Sequence, residues 1–357
     1  MKNLLITGGA GFIGSHLCLM LLKNNYSLYV IDSFVNSSSE SLEIVKDLSK
    51  LNKKEISNNL KIFFGDMRDK ISIEKVFLFA LECDQPIDGV IHLAGLKSVR
   101  DSVNKPIDYW ENNIVSTINL LDIMNKYNCF NLVFSSSASI YQKDQKLVKE
   151  NSNIYPSHPY AETKVVVEKL LKSVFNAAPK KWKVVNLRYF NPIGAHSSGQ
   201  LGEDPKGDPN NIFPRILKVA SGEIEKLYIF GNDWPTKDGS GVRDYIHVMD
   251  LADGHIKALE YLNNVSPQIL NINLGTGIGT SVIELIKVFE KVNNVEIPME
   301  FVDRRNGDVA ELVAEITLAK SLIKFLPTRN IKAMCKDGWK WHQRNPLGYR
   351  NTKKKLK

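Results

Sequence analysis

The chain has 357 residues, 43% hydrophobic and 24% charged, enough for one large core or two moderate ones, and a two-part architecture is expected. Its formal charge of +8 does not point to nucleic acid: Arg350 to Lys357 holds five cations and no acid, which leaves +3, and no aromatics are interleaved there to stack bases. No run approaches the roughly 20 apolar residues of a membrane span, the start is too short for a signal-peptide core, and Cys18, Cys83, Cys129 and Cys335 lack metal or disulfide spacing, so a cytoplasmic protein without metal is expected.

Short apolar runs alternate with longer amphipathic stretches, the rhythm of an α/β doubly wound parallel sheet wrapped in helices. Strands are predicted at Asn3 to Thr7, Leu28 to Asp32, Leu60 to Phe64, Gly89 to Leu93, Asn131 to Ser135 and Lys183 to Leu187. The first runs into Gly8-Gly9-Ala10-Gly11-Phe12-Ile13-Gly14, in which Gly9, Gly11 and Gly14 form G-x-G-x-x-G where a strand must turn into a helix. Backbone N–H groups at that helix start suit the pyrophosphate of a dinucleotide. The second strand ends in Asp32, 18 positions after Gly14, placed to accept hydrogen bonds from both adenosine ribose hydroxyls and to repel a 2′-phosphate. Ser33 and Phe34 offer no cation to hold such a phosphate, so NAD is expected rather than NADP.

From Ser33 to Asn59 a Ser-rich start, one helix and a Lys/Asn-rich surface loop are expected. Ligands of such sheets meet the strand ends. After the third strand, Asp66 is a candidate acceptor for the adenine amino group, with Met67 beside it. After the fourth, Leu93, Ala94 and Gly95 allow close backbone approach, and Lys97 can reach ribose or phosphate. The fifth strand ends in Ser135-Ser136-Ser137. His158-Pro159-Tyr160 opens an amphipathic helix that places Tyr160 and Lys164 on one face at i and i+4. A phenol titrates near pH 10; using it as a base near neutrality requires lowering by about three pH units, roughly 4 kcal/mol. The Lys164 ammonium and an oxidised nicotinamide both supply the right sign of field, and Ser137 can position a substrate hydroxyl.

After Tyr189 the texture turns to Gly, Pro and Asn-rich turns, so three divisions are expected: 1–188 for the dinucleotide, 189–349 for the substrate, and the tail 350–357. The motifs Arg188-Tyr189-Phe190-Asn191-Pro192, Gly202-Glu203-Asp204-Pro205, Asn210-Asn211 and Gly241-Val242-Arg243-Asp244-Tyr245-Ile246-His247-Val248 join the glycine turn, the serine run and the Tyr/Lys pair. Together they resemble the UDP-glucose 4-epimerase family of the extended short-chain dehydrogenase/reductase superfamily, to about Tyr349.

The resemblance implies tightly held NAD and a catalytic trio of Ser137, Tyr160 and Lys164. It places Asn112 and Phe190, and the same Ser137, Tyr160 and Lys164, with the cofactor set of Gly8, Gly11, Phe12, Ile13, Gly14, Asp32, Ser33, Asp66, Met67, Leu93, Ala94, Gly95 and Lys97, and Ser137 and Tyr160 also at the substrate. Around the nucleotide sugar it implies Asn191, Asn211, Ile212, Arg243, Arg305 and Asp308, with Tyr228, Ile229 and Phe230 lining the uridine. The two arginines are of the kind that grips a diphosphate. Leu312 takes the position whose bulk governs access of N-acetylated sugars in that family, intermediate between the large and small residues found there. Gln142 stands where the family has Gly. The implied reaction interconverts UDP-glucose and UDP-galactose through a 4-keto sugar, in galactose metabolism; alternatives are 4-epimerisation of UDP-N-acetylglucosamine or UDP-glucuronate. A 4,6-dehydratase or decarboxylase would need an acid next to Ser137, where Ala138 and Ser139 stand, and a non-catalytic NAD sensor would not need Tyr160 and Lys164. A homodimer through helices around Asp108 to Tyr127 and Thr163 to Phe175 is implied by the resemblance.

Overall fold

The computed structural model describes residues 2–142, 146–207, 209, 211–305 and 308–350. Asn210 and the tail beyond Arg350 lie outside them. The chain divides into two compact units, one of the chain up to Ile140, Pro156–Arg188 and Ala252–Ile272, the other of Tyr141–Tyr155, Tyr189–Leu251 and the chain from Asn273 on. Sequence alone places a single change of unit, after residue 188, whereas the chain changes unit five times. Composition carries no mark of the extra crossings.

The first unit is built on a seven-stranded sheet. Its strands are β1 (Asn3–Thr7), β2 (Ser27–Asp32), β3 (Leu60–Phe64), β4 (Gly89–His92), β5 (Asn131–Ser137), β6 (Lys183–Tyr189) and β7 (Gln268–Leu274), ordered β7-β6-β5-β4-β1-β2-β3. The six expected strands are present, and β7 is an addition: Gln268–Leu274 alternates Ile, Leu and Asn too evenly to read as a buried run. β1 pairs in parallel with both β2 and β4, Thr7 standing opposite Ile31 and His92. Leu4, Leu5, Ile6, Val30 and Ile31 are 0% exposed, because helices cover both faces of a parallel sheet and demand apolar residues throughout. The strand order reverses between β1 and β4, the position at which open α/β sheets leave a crevice at their carboxyl ends.

The stretch after Ser33 holds two helices, Glu40–Ser49 and Lys53–Asn59, rather than a helix and a loop. The second buries none of its residues, so it has no hydrophobic period to detect. A capping box holds it: Asn52 Oδ1 accepts from Glu55 N at 3.0 Å while Glu55 Oε2 accepts from Asn52 N at 2.8 Å.

In the second unit the strand Val242–His247 is central. It pairs with Gly279–Ser281, Glu311–Ala314 and Asn191–Ile193, and Glu311–Ala314 continues to Leu147–Val148. Buried Asp244 fastens the turn after β7: Oδ1 accepts from Thr276 N and Oγ1, both at 2.7 Å, and Oδ2 from Gly277 N at 2.9 Å and Ala314 N at 3.2 Å. A separate parallel pair joins Leu227–Phe230 to Met299–Val302. No helix among the described residues is long and apolar enough to cross a membrane.

Candidate active site

The glycine turn is shaped by steric necessity. Gly8 has φ +70°, and a Cβ on it would meet Ala94 N at 2.8 Å; a Cβ on Gly14 would lie 2.3 Å from the Gly8 carbonyl. The helix Phe12–Lys23 that follows has Gly11 at its N-cap with no side-chain cap. Its first-turn N–H groups therefore have neither an intrahelical nor a side-chain acceptor, and the residues present fit a pyrophosphate.

Asp32 closes the same corner. Its Oδ2 accepts from Ala10 N at 2.9 Å, and its Oδ1 accepts from Phe34 N at 2.9 Å and from the Ser37 hydroxyl at 2.8 Å. Oδ2 thus has one protein donor and Oδ1 two, which fixes the orientation of the carboxylate at the end of β2. Ser33 follows it, half-buried. Asp66 is clamped by Arg68, whose Nη2 donates to Oδ2 at 2.7 Å and whose Nε bridges both oxygens at 3.1 Å; this pairing holds the carboxyl below its ordinary pKa. Met67 turns its side chain into the core at 6% exposure.

A polar chain that sequence reasoning missed organises the loop after β4. The Thr7 hydroxyl lies 2.7 Å from His92 Nδ1 and accepts from Leu93 N at 3.2 Å and Ala94 N at 3.1 Å. On the other side of the ring, Nε2 lies 3.0 Å from the Thr117 hydroxyl, which itself donates to the Asn113 carbonyl at 2.7 Å. The Thr117 proton is thus committed, so Nε2 must donate and Nδ1 must accept from Thr7. This fixes one neutral tautomer. Burial, and after it the charge of Lys164, pulls His92 down to about 3. Asn113 binds the Leu96 N–H at 2.8 Å and reaches Thr163 Oγ1 at 2.9 Å, tying this loop to the helix Pro159–Ala177. Neighbouring Asn112, the expected cofactor residue, is half-buried and donates to the Asp108 carbonyl at 2.7 Å. Gly95 leaves room for Asn113, whose Oδ1 a Cβ would meet at 2.9 Å.

Tyr160 and Lys164 share one helix face, as their spacing predicts, and Ser137 at the end of β5 is hydrogen-bonded with Tyr160. His158 caps the helix, its Nδ1 accepting from Ala161 N at 3.1 Å, and Pro159 occupies the first position. Lys164 is 6% exposed; its Nζ donates to the Ser135 carbonyl at 2.7 Å and stands 4.9 Å over the Phe134 ring and 5.8 Å over the Tyr160 ring. Burial lowers its ammonium to about 8, opposed by the charge of Glu168. Burial raises the Tyr160 phenol, against a hydrogen bond with Ser137 and the charge of Lys97, which both lower it. Lys97, expected at ribose or phosphate, thus also acts on the phenol. Ser137 Oγ lies 2.9 Å from Ser139 Oγ. The dyad can move a proton to or from a hydroxyl held by Ser137.

In the second unit the expected residues form two separate groups, Arg243 with Asp308 and Leu312, and Arg305 with Phe230. Arg243 Nη2 donates to Asp308 Oδ1 at 3.2 Å, Nη1 donates to the carbonyls of Val242 and Val309, and Leu312 is Arg243's register partner on the neighbouring strand. The Arg305 guanidinium lies 3.7 Å from the Phe230 ring centroid. Tyr228 and Phe230 share one strand face, but Ile229 is 2% exposed in the core, because alternate residues of a strand point to opposite sides. Ile212 likewise packs against that core. Asn211 sits at the N-cap of the helix Ile212–Ala220 without spending its side chain on it. Asn191 pairs in register with Tyr245, and buried Phe190 donates its N–H to the Leu274 carbonyl at 3.1 Å.

Residues 5–338 match the family described as GDP-mannose 4,6 dehydratase. The chain is 46% identical over 352 residues to UDP-glucose 4-epimerase 2 of Arabidopsis thaliana, covering 98% of each. It is 44% identical over 350 residues to the UDP-glucose 4-epimerase of Bacillus subtilis, covering 98% of this chain and 99% of that one. Among solved structures, the UDP-glucose 4-epimerase of Bifidobacterium longum in complex with NAD+ and UDP superposes with a TM-score of 0.89 at 40% identity, over 97% of this chain and 99% of that one. Since relatives of this identity are matched along nearly their whole length, the chain belongs to the UDP-glucose 4-epimerase family.

Proposed function

We propose that the protein is an NAD-dependent 4-epimerase that interconverts UDP-glucose and UDP-galactose. The observation that carries this is the Ser137, Tyr160 and Lys164 constellation in the same unit as a glycine turn that leads into a helix start without a side-chain cap, which fits a pyrophosphate. NAD, when bound, supplies the acceptor and donor of hydride at the sugar C4. Tyr160 takes the proton of the 4-hydroxyl and returns it after the 4-keto sugar has turned over. Ser137 holds that oxygen, and Lys164 and Lys97 favour the phenolate by their charge. Asn191, Asn211, Arg243 and Arg305 grip the nucleotide, leaving the hexose loosely held. Ala138 stands where a dehydratase or decarboxylase would need an acid.

A second reading, 4-epimerisation of UDP-N-acetylglucosamine, is supported by Leu312, whose intermediate bulk stands beside Arg243; 4-epimerisation of UDP-glucuronate is the other alternative, which a substrate panel separates. The proposal includes a cytoplasmic homodimer in galactose metabolism, on resemblance. The dimer has separate support from the exposed apolar residues Val99, Val103, Ile107, Trp110, Val115 and Ile118.

The test is incubation of the purified protein with UDP-galactose, without added cofactor, followed by chromatography of the sugar nucleotides. UDP-glucose as product supports the proposal together with retained NAD. Conversion of only UDP-N-acetylgalactosamine or UDP-galacturonate would keep the mechanism and change the substrate. No reaction even with added NAD would defeat both.

A further inference from the structure

Three successive residues at the end of β5 are each fastened to the helix Pro159–Ala177. The Ser135 carbonyl accepts from Lys164 Nζ at 2.7 Å, the Ser136 hydroxyl donates to Glu168 Oε1 at 2.5 Å, and the Ser137 hydroxyl is hydrogen-bonded with Tyr160. Residues 160, 164 and 168 lie one turn apart on a single helix face. Strand and helix are therefore held in register at three points, two of which are the proposed catalytic contacts.

The third point is reinforced from the next strand. Arg188 on β6 grips the Glu168 carboxylate with two bonds, Nε to Oε1 at 3.0 Å and Nη2 to Oε2 at 2.7 Å. Arg188 is 1% exposed and Glu168 8%. A buried pair of this kind is a poor source of net stability, since apolar residues of similar volume serve as well or better. Its place, one turn from Lys164 and one residue from Ser137, points to another use.

We propose that Glu168, oriented by Arg188, is a positioning residue for Tyr160 and Lys164, locking the helix on the strand and placing a fixed negative charge one turn behind the Lys164 ammonium. Burial alone drives that ammonium toward its neutral form, and Glu168 is the group that opposes it. The other titratable groups around Lys164 are Tyr160 on its own helix and His92 on β4, whose neutral form is fixed by Thr7 and Thr117; Lys97 acts on Tyr160. Neither Ser135 nor Phe134, its remaining neighbours on β5, titrates.

The inference rests on the epimerase reading, and its test uses the NAD-loaded protein with the pH dependence of kcat as readout. In Glu168→Gln the alkaline limb should move about one pH unit lower, because Lys164 loses the charge that keeps it protonated. That variant leaves Arg188 buried and unpaired, so Glu168→Gln/Arg188→Met, which removes both charges, is measured beside it. The double variant should fold, retain NAD and show the limb displaced in the same direction by a smaller step, because the Arg188 cation is removed together with the Glu168 charge. A double variant with the wild-type profile overturns the proposal, and so does failure of both variants to fold, which would make the pair purely structural. Wild-type protein without 4-epimerase activity would instead bring down the functional reading on which it stands.

Discussion

Burial drives both Tyr160 and His92 toward their neutral forms, but what surrounds each proton differs. Tyr160 meets a hydroxyl and two cations, and its phenol is the group whose proton the proposed reaction moves. Replacing it with Phe keeps the ring and its packing and removes the acid/base. Turnover of Tyr160→Phe is expected to fall by at least about 10³-fold. Bound NAD should be undiminished, as rate and cofactor content measured on one preparation will show. His92, by contrast, is a ring locked neutral by two threonines. Its folded pKa of about 3 lies below the unfolded value near 6.5, so in that window the unfolded chain binds a proton the native one refuses. Stability is unaffected above the window and falls as pH drops through it, by up to about 1.4 kcal/mol per pH unit from this group. Denaturant unfolding at pH 4, 5 and 7 should show this loss, and the difference between wild type and His92→Gln should carry that slope.

At the scale of elements, function depends on where strands end and what holds the following loops. The loop after β4 is shaped by Thr7 on β1 and by Asn113, not by its own residues alone. In the second unit Asp244 does the same for the turn after β7, answering four donors with two oxygens. Asp244→Asn keeps the shape but turns an amide donor toward backbone donors. It should cost about 3 kcal/mol, visible as a lowered Tm. The strands were legible because buried parallel strands must be apolar. The helix Lys53–Asn59 and strand β7 were not, the first for want of a buried face and the second for its alternating asparagines.

For the molecule as a whole, the exposed apolar residues between Val99 and Ile118 are the ones that bear on the proposed dimer. Ile107 is 72% exposed, more than the others of that group. Ile107→Glu places a charge in the proposed dimer face and should yield monomers in sedimentation velocity while the wild type sediments as a dimer. A monomeric wild type would remove the dimer from the proposal and leave the catalytic argument intact, since Ser137, Tyr160 and Lys164 all belong to one unit of one chain.

The sequence by itself determined the dinucleotide turn, the six principal strands and the shared helix face of Tyr160 and Lys164, because each depends on spacing along one chain: glycines where a Cβ would collide, a period of four on a helix, apolar runs in a covered sheet. Tertiary structure alone decided which neighbours those residues meet. It occupied three positions of the Asp32 carboxylate, buried Met67 and Ile229, gave Lys97 a hold on the Tyr160 phenol, and set Asn113, Glu168 and Arg188 behind the site. Partners such as Ala10 and Asp32, Asn113 and Thr163, or Glu168 and Arg188, which stand 22, 50 and 20 positions apart in the chain, leave no period in it, and burial, which moves the protons, exists only once the layers have closed.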